Sequence, residues 1–110
     1  MVHNDYLYRE FMGKYEKKEN AFVRVAQNTI EGDLIIYDIY YDSQKNKVYV
    51  VSDYTRDEFA AEEDKTINLT EYDSVSEYKY NDRLYWVVYK GELDDNTFNT
   101  TNVKIITTIN

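Results

Sequence analysis

Leu34-Ile35-Ile36-Tyr37-Asp38-Ile39-Tyr40-Tyr41 is the stretch that decides the fold. Seven of its eight residues are apolar or aromatic, and none is Gly or Pro. β-Branched and aromatic side chains suit a pleated, half-buried surface. A near-continuous apolar run of this length reads as a central strand covered on both faces. Turn signals bound it on either side, Glu31-Gly32-Asp33 before it and Asp42 to Asn46 after it.

Outward from that run, Ala21-Phe22-Val23-Arg24-Val25-Ala26 upstream and Val48-Tyr49-Val50-Val51 downstream read as neighbouring strands. Three strands joined by short turns predict an antiparallel meander. At the N-terminal side Leu7, Phe11 and Tyr15 fall at i, i+4 and i+8, with Tyr8 and Met12 beside them. This spacing predicts a helix over residues 6–18, with Asp5 as its N-cap and Lys14, Lys17 and Lys18 in its last turns. Downstream, Arg56 to Asp64 breaks the strand pattern and reads as a short helical turn or an acidic loop. Ile67-Asn68-Leu69 resumes a strand, and Val75 to Tyr80 and Leu84 to Tyr89 flank the hairpin turn Asn81-Asp82. Residues 91–102 are polar and read as a loop, and Val103 to Thr107 reads as a last strand. The expected architecture is α+β: an N-terminal helix packed on an antiparallel β-sheet of five to seven strands.

The 110 residues fit one domain, 1–110. Net charge is -8. Residues 1–30 carry five Lys/Arg and four Asp/Glu, and residues 31–110 carry eight and seventeen, so the acidity lies beyond the N-terminal helix. Such a body repels nucleic acid and anionic membrane surfaces and attracts a basic partner. No stretch of 18 apolar residues exists to span a membrane. There is no Cys, which excludes disulfides, thiolate catalysis and Cys-based zinc sites. The single His, His3, stands in the terminal tail, which leaves no His for a catalytic triad or a metal site.

Residues 19–65 carry a recognisable order. Val23-Arg24-Val25 is followed by Thr29-Ile30-Glu31-Gly32-Asp33-Leu34-Ile35-Ile36-Tyr37-Asp38, then Tyr41-Asp42, then Asp53-Tyr54-Thr55-Arg56-Asp57-Glu58-Phe59. The order resembles a domain-of-unknown-function family found in small lipoproteins of Gram-positive bacteria. The resemblance implies an extracytoplasmic, anchored domain and brings no activity with it. The chain differs from that family in lacking a lipobox Cys and a Cys pair in its C-terminal half.

Catalytic candidates are few. Asp38 interrupts the apolar run; it reads as a buried acid with a raised pKa, as the partner of an Arg such as Arg24 or Arg83, or as an acid at a wet edge. Asp94-Asp95-Asn96 and Asp57-Glu58 look like fragments of calcium loops but lack the Gly and distant Glu of an EF-hand. The three Gly are isolated, so no phosphate cradle exists. No enzyme, cofactor or metal is expected. What remains is an acidic run, Asp53, Asp57, Glu58, Glu62, Glu63 and Asp64, and a Tyr set, Tyr72, Tyr78, Tyr80, Tyr85 and Tyr89 with Trp86. Tyr is enriched where interfaces concentrate binding energy. Together these residues are the expected partner-binding face. It would dock on a basic surface such as the nucleic-acid channel of a nuclease, in the cytoplasm of a host cell. Small phage anti-defence inhibitors, anti-CRISPR proteins among them, have this style of composition. The alternative is an envelope domain with a binding or structural role.

Overall fold

The computed structural model describes residues 5–28, 34–55 and 66–109. One helix, α1 (Asp5–Glu16), is followed by seven strands: β1 (Ala21–Asn28), β2 (Leu34–Asp42), β3 (Lys47–Asp53), β4 (Ile67–Tyr72), β5 (Ser74–Tyr80), β6 (Arg83–Tyr89) and β7 (Val103–Ile109). The predicted helix and each predicted strand are present. The expected turn at Glu31-Gly32-Asp33 and the Arg56–Asp64 segment lie outside the described residues, as does His3.

Helix α1 places Tyr8 and Phe11 in the core, with Met12 and Tyr15 packed at its margin. It ends in a tight cap. Lys18 takes φ 59°, the Glu19 N–H donates to the Lys14 carbonyl at 2.9 Å, and the Lys18 N–H donates to Tyr15 at 3.0 Å. These two bonds satisfy carbonyls that the last helical turn leaves free.

The strands form two antiparallel sheets, β1-β2-β3-β4 and β5-β6-β7, and not the one sheet expected. The division falls at Asp73, the single residue between β4 and β5. Its N–H donates to the Tyr89 carbonyl at 2.9 Å, its Oδ1 accepts from Lys47 Nζ at 2.6 Å, and its Oδ2 accepts from the Gly91 N–H at 3.0 Å. These bonds turn the chain from the β3 ladder into the β6 ladder within one residue. A hydrophobicity pattern carries no mark of such a step.

Both sheets and the helix share one core. Val23 and Val25 of β1, Tyr37, Ile39 and Tyr41 of β2, Val48 and Val50 of β3 and Tyr72 of β4 belong to the same buried cluster as Val75, Trp86, Val88 and Ile106 of the second sheet. Trp86 is fully buried, and the rings of Tyr8 and Phe11 meet it edge-on at 4.8 and 5.6 Å. Lys104 of β7 reaches across to the first sheet, with Nζ 4.7 Å from the centre of the Tyr37 ring.

The two sheets differ in what covers their far faces, and this positions the candidate site. Residues 91–102 fold back over the three-stranded sheet. Their Phe98 is buried and stacks on Tyr80 at 4.4 Å and Tyr78 at 5.4 Å, with Val87 and Val103 beneath it. The far face of the four-stranded sheet has no such lid among the described residues. Strand β2 is therefore central, as expected, but among the described residues it is covered on one face only. Tyr37, Ile39 and Tyr41 point inward, while Tyr40 is exposed and Ile36 and Asp38 are half-buried.

Candidate functional site

Side chains alternate across a strand, so the burial of Val23, Ile39, Val50 and Tyr72 fixes which residues face outward. The register then arranges them in three rows. Phe22, Tyr40, Tyr49 and Glu71 form the first row, Arg24, Asp38, Val51 and Leu69 the second, and Ala26, Ile36, Asp53 and Ile67 the third. Phe22, Tyr40, Ile67 and Leu69 are 52, 43, 61 and 68% exposed. Among the described residues Ile105 is the one further large hydrophobic that is exposed. Scattered exposed hydrophobes are ordinary, but four on one sheet face are a patch.

The first row is aromatic. Phe22 and Tyr40 face each other across the β1–β2 ladder with ring centres 4.7 Å apart. At their end of the sheet lies an open groove of about 710 Å³, lined by Phe22, Tyr40 and Tyr49 with Lys14, Asn20, Asp42 and Gln44. The groove's polar rim is held in place. Asn20 Oδ1 accepts from the Ser43 N–H and Oγ, both at 2.8 Å, and Asp42 Oδ1 accepts from the Gln44 N–H at 3.0 Å.

The middle row holds a bidentate ion pair. Arg24 donates from Nε to Asp38 Oδ1 at 2.7 Å and from its terminal nitrogen to Oδ2 at 3.0 Å. Asp38 is thus partnered with Arg24, one of the two arginines the sequence offered for it. The carboxylate raises the Arg24 pKa further above its ordinary value through that hydrogen bond. Lys47, the other cation that strand alternation turns toward this side, is held by Asp73. The carboxylates of Asp42, Asp53 and Glu71 complete the face; Asp53 accepts from the Thr55 N–H at 2.9 Å and its hydroxyl at 2.6 Å.

The residues expected to bind a partner are dispersed. Asp53 stands on the outer face beside Ile67. Tyr72 is buried in the shared core, where burial pushes its hydroxyl pKa up. Tyr78 and Tyr80 lie on the other sheet and hold Phe98. Tyr78 also donates to Asp95, and that hydrogen bond pushes its pKa up to about 12. Asp57, Glu58, Glu62, Glu63 and Asp64 lie outside the described residues, in the segment between Thr55 and Thr66. The aromatic part of the exposed face comes instead from Phe22, Tyr40 and Tyr49. The signal for Phe22 was present in the alternation of Phe22, Arg24 and Ala26 with Val23 and Val25. The continuous apolar run of β2 hid the signal for Tyr40.

Among the described residues no group of three or more His, Cys, Asp or Glu side chains gathers as a metal site requires. No described helix is long and apolar enough to cross a membrane.

Fold and face together define a β-rich α+β domain in which a helix closes two sheets on one core and one sheet presents a partly aromatic outer surface. The chain belongs to the family described as Domain of unknown function (DUF4362), whose model matches residues 2–86. The match takes in α1, the whole four-stranded sheet with its outer face, and the second sheet as far as Trp86. No curated protein and no solved structure matches the chain.

Proposed function

We propose that this domain is a binding module that docks on a basic protein surface through the outer face of its four-stranded sheet. The observation that carries the reading is the gathering of Phe22, Tyr40, Ile67 and Leu69 on that face. Carboxylates surround them, and Arg24 and Lys47 are already ion-paired. Aromatic anchors supply contact area at low entropic cost, and surrounding charge steers encounter and selects the sign of the partner. In the sequence, β1 and β2 are joined by residues 29–33, and residues 56–65 stand between β3 and β4. Those two segments carry seven Asp/Glu against two Lys/Arg. The nucleic-acid channel of a nuclease has the complementary character, and an inhibitor of such an enzyme is the sharpest form of the proposal.

The test is affinity capture with tagged protein from host lysate at low salt, followed by a high-salt wash. A basic, nucleic-acid-binding protein should be recovered, released by salt, and lost with the Phe22→Ala/Tyr40→Ala variant whose fold is intact. Recovery that ignores both salt and the variant would sink the reading.

A second reading keeps the same face and places the domain at a Gram-positive envelope. Its support is the resemblance of residues 19–65 to a family of small Gram-positive lipoproteins. Fractionation of cells expressing the gene from its own locus decides it: protein in the membrane and wall fractions favours the envelope, and protein in the cytosolic fraction favours the inhibitor.

A further inference from the structure

Among the described residues strand β4 is an edge strand, and over Ile67–Leu69 both of its faces are open. Ile67, Asn68 and Leu69 are consecutive and all exposed, although alternate side chains lie on opposite faces of the sheet. Its inner ladder edge is used by β3. The Tyr54 N–H donates to the Thr66 carbonyl at 2.9 Å, so the main-chain groups of Thr66, Asn68 and Thr70 point toward β3. Those of Ile67, Leu69 and Glu71 therefore point away from it, along the free edge.

Natural sheets protect such edges with charge, bulges or covering elements. The other three edges here are protected. Strand β1 carries Arg24 and has α1 packed against it. Strand β5 exposes Glu77 and Lys79, and β7 carries Lys104 and pairs with β6 through a register irregularity. Over Ile67–Thr70, β4 carries no charge, no Pro and no bulge.

We infer that β4 pairs antiparallel with β4 of a second copy of this chain, about a two-fold axis at Asn68. Hydrogen-bond parity and charge both select this register. With Asn68 opposite Asn68 of the second copy, Ile67 meets Leu69 twice, once on each side of the axis. Both encounters fall at positions whose N–H and C=O are free, which gives about four main-chain hydrogen bonds. The Asn68 amides face each other as self-complementary donors and acceptors. The two Glu71 carboxylates are carried to opposite ends of the paired segment, roughly 20 Å apart by strand rise, beyond the screening length at moderate salt. Registers shifted toward the C-terminus set Glu71 against Ile67 or Leu69, or against its own copy. The pairing is isologous and closes on itself, and it joins the outer faces of two four-stranded sheets into one.

The chain has no Cys, so an introduced thiol reports without background. Under mild oxidation Asn68→Cys should form a disulfide-linked dimer, since facing residues at a non-hydrogen-bonded position come within about 4.5 Å at Cα, inside the disulfide range. Thr66→Cys mixed with Thr70→Cys should cross-link as a heterodimer, while each alone links far less. Lys79→Cys on β5 is the exposed control. Sedimentation velocity of the unmodified chain should show a dimer that strengthens with added salt, because each copy carries -8, and Leu69→Lys should weaken it at least about tenfold. The salt response is opposite in sign to that of docking on a basic partner, so the two ideas stand or fall separately. A wild-type monomer at high salt, Asn68→Cys linking no faster than the Lys79→Cys control, or Thr70→Cys linking to itself would each overturn the inference.

Discussion

Lys18 holds a backbone angle, φ 59°, that costs an L-residue with a β-carbon energy and costs Gly nothing. It occupies the position after the α1 C-terminus where Gly is the usual occupant. Nothing among the hydrogen bonds of the helix end uses its side chain, so Lys18→Gly should raise stability by about 0.5–1 kcal/mol, read as a higher urea midpoint at unchanged slope. Asp73 makes the opposite kind of demand. The hydrogen bond from Lys47, then that from the Gly91 N–H, holds its carboxyl below the ordinary value. A depressed folded-state pKa means stabilisation that is present above the unfolded pKa and lost as pH falls through the folded one. Wild type should therefore exceed Asp73→Asn in stability at neutral pH, and the gap should narrow on acidification through the carboxylate range. A gap that widens would show that the charge is not what holds this corner.

Elements built from local rules were legible in the sequence, and elements defined by what lies over them were not. The apolar stripe of α1 and the alternation in β1 needed no tertiary knowledge. Asn81 and Asp82 also announced themselves: both take positive φ, 49° and 64°, as the two-residue turn between paired Tyr80 and Arg83 requires. The division into two sheets was hidden because a lone Asp, whose role rests on three partners distant in sequence, makes the corner. Burial of Tyr72, and the half-covered state of β2, depend on the second sheet and could not be read from periodicity. Phe98 is the plainest case, a single aromatic in an Asp, Asn and Thr-rich stretch that read as a loop. It anchors that stretch over Tyr78, Tyr80 and Tyr85. Asp94 shapes the turn that presents it, its Oδ1 accepting from the Asn96 and Thr97 N–H groups at 2.9 Å. Phe98→Ala should cost about 3 kcal/mol by the usual range for a buried Phe. It should open residues 91–102 to proteolysis while the four-stranded sheet keeps its hydrogen-exchange protection. Equal loss of protection in both sheets would show that the lid supports the whole molecule and not its own face alone.

For the whole molecule, the question is whether two sheets and a helix are one cooperative unit. The chain has one Trp, and it sits where all three meet. Trp86 belongs to the second sheet, takes the rings of Tyr8 and Phe11 from α1, and shares its cluster with Ile39 and Val50 of the first sheet. Among the described residues its indole N–H meets no hydrogen-bond acceptor, and the ring is held by packing. The sheets are also tied at their margins, by Lys47 to Asp73 and by Lys104 over Tyr37. Cooperative unfolding requires that no part can leave without exposing a large share of another's apolar surface. Phe11→Ala tests this from the helix. It should cost about 3–5 kcal/mol. The denaturation curve followed by Trp86 fluorescence should still coincide with the one followed by far-UV circular dichroism, because loosening the helix uncovers the residue on which the second sheet is packed. If fluorescence changed first while strand signal persisted, α1 would be a detachable cover and the sheets would hold each other without it. The open face of the first sheet would then survive loss of the helix, and partner docking could be assayed on a chain that begins at β1.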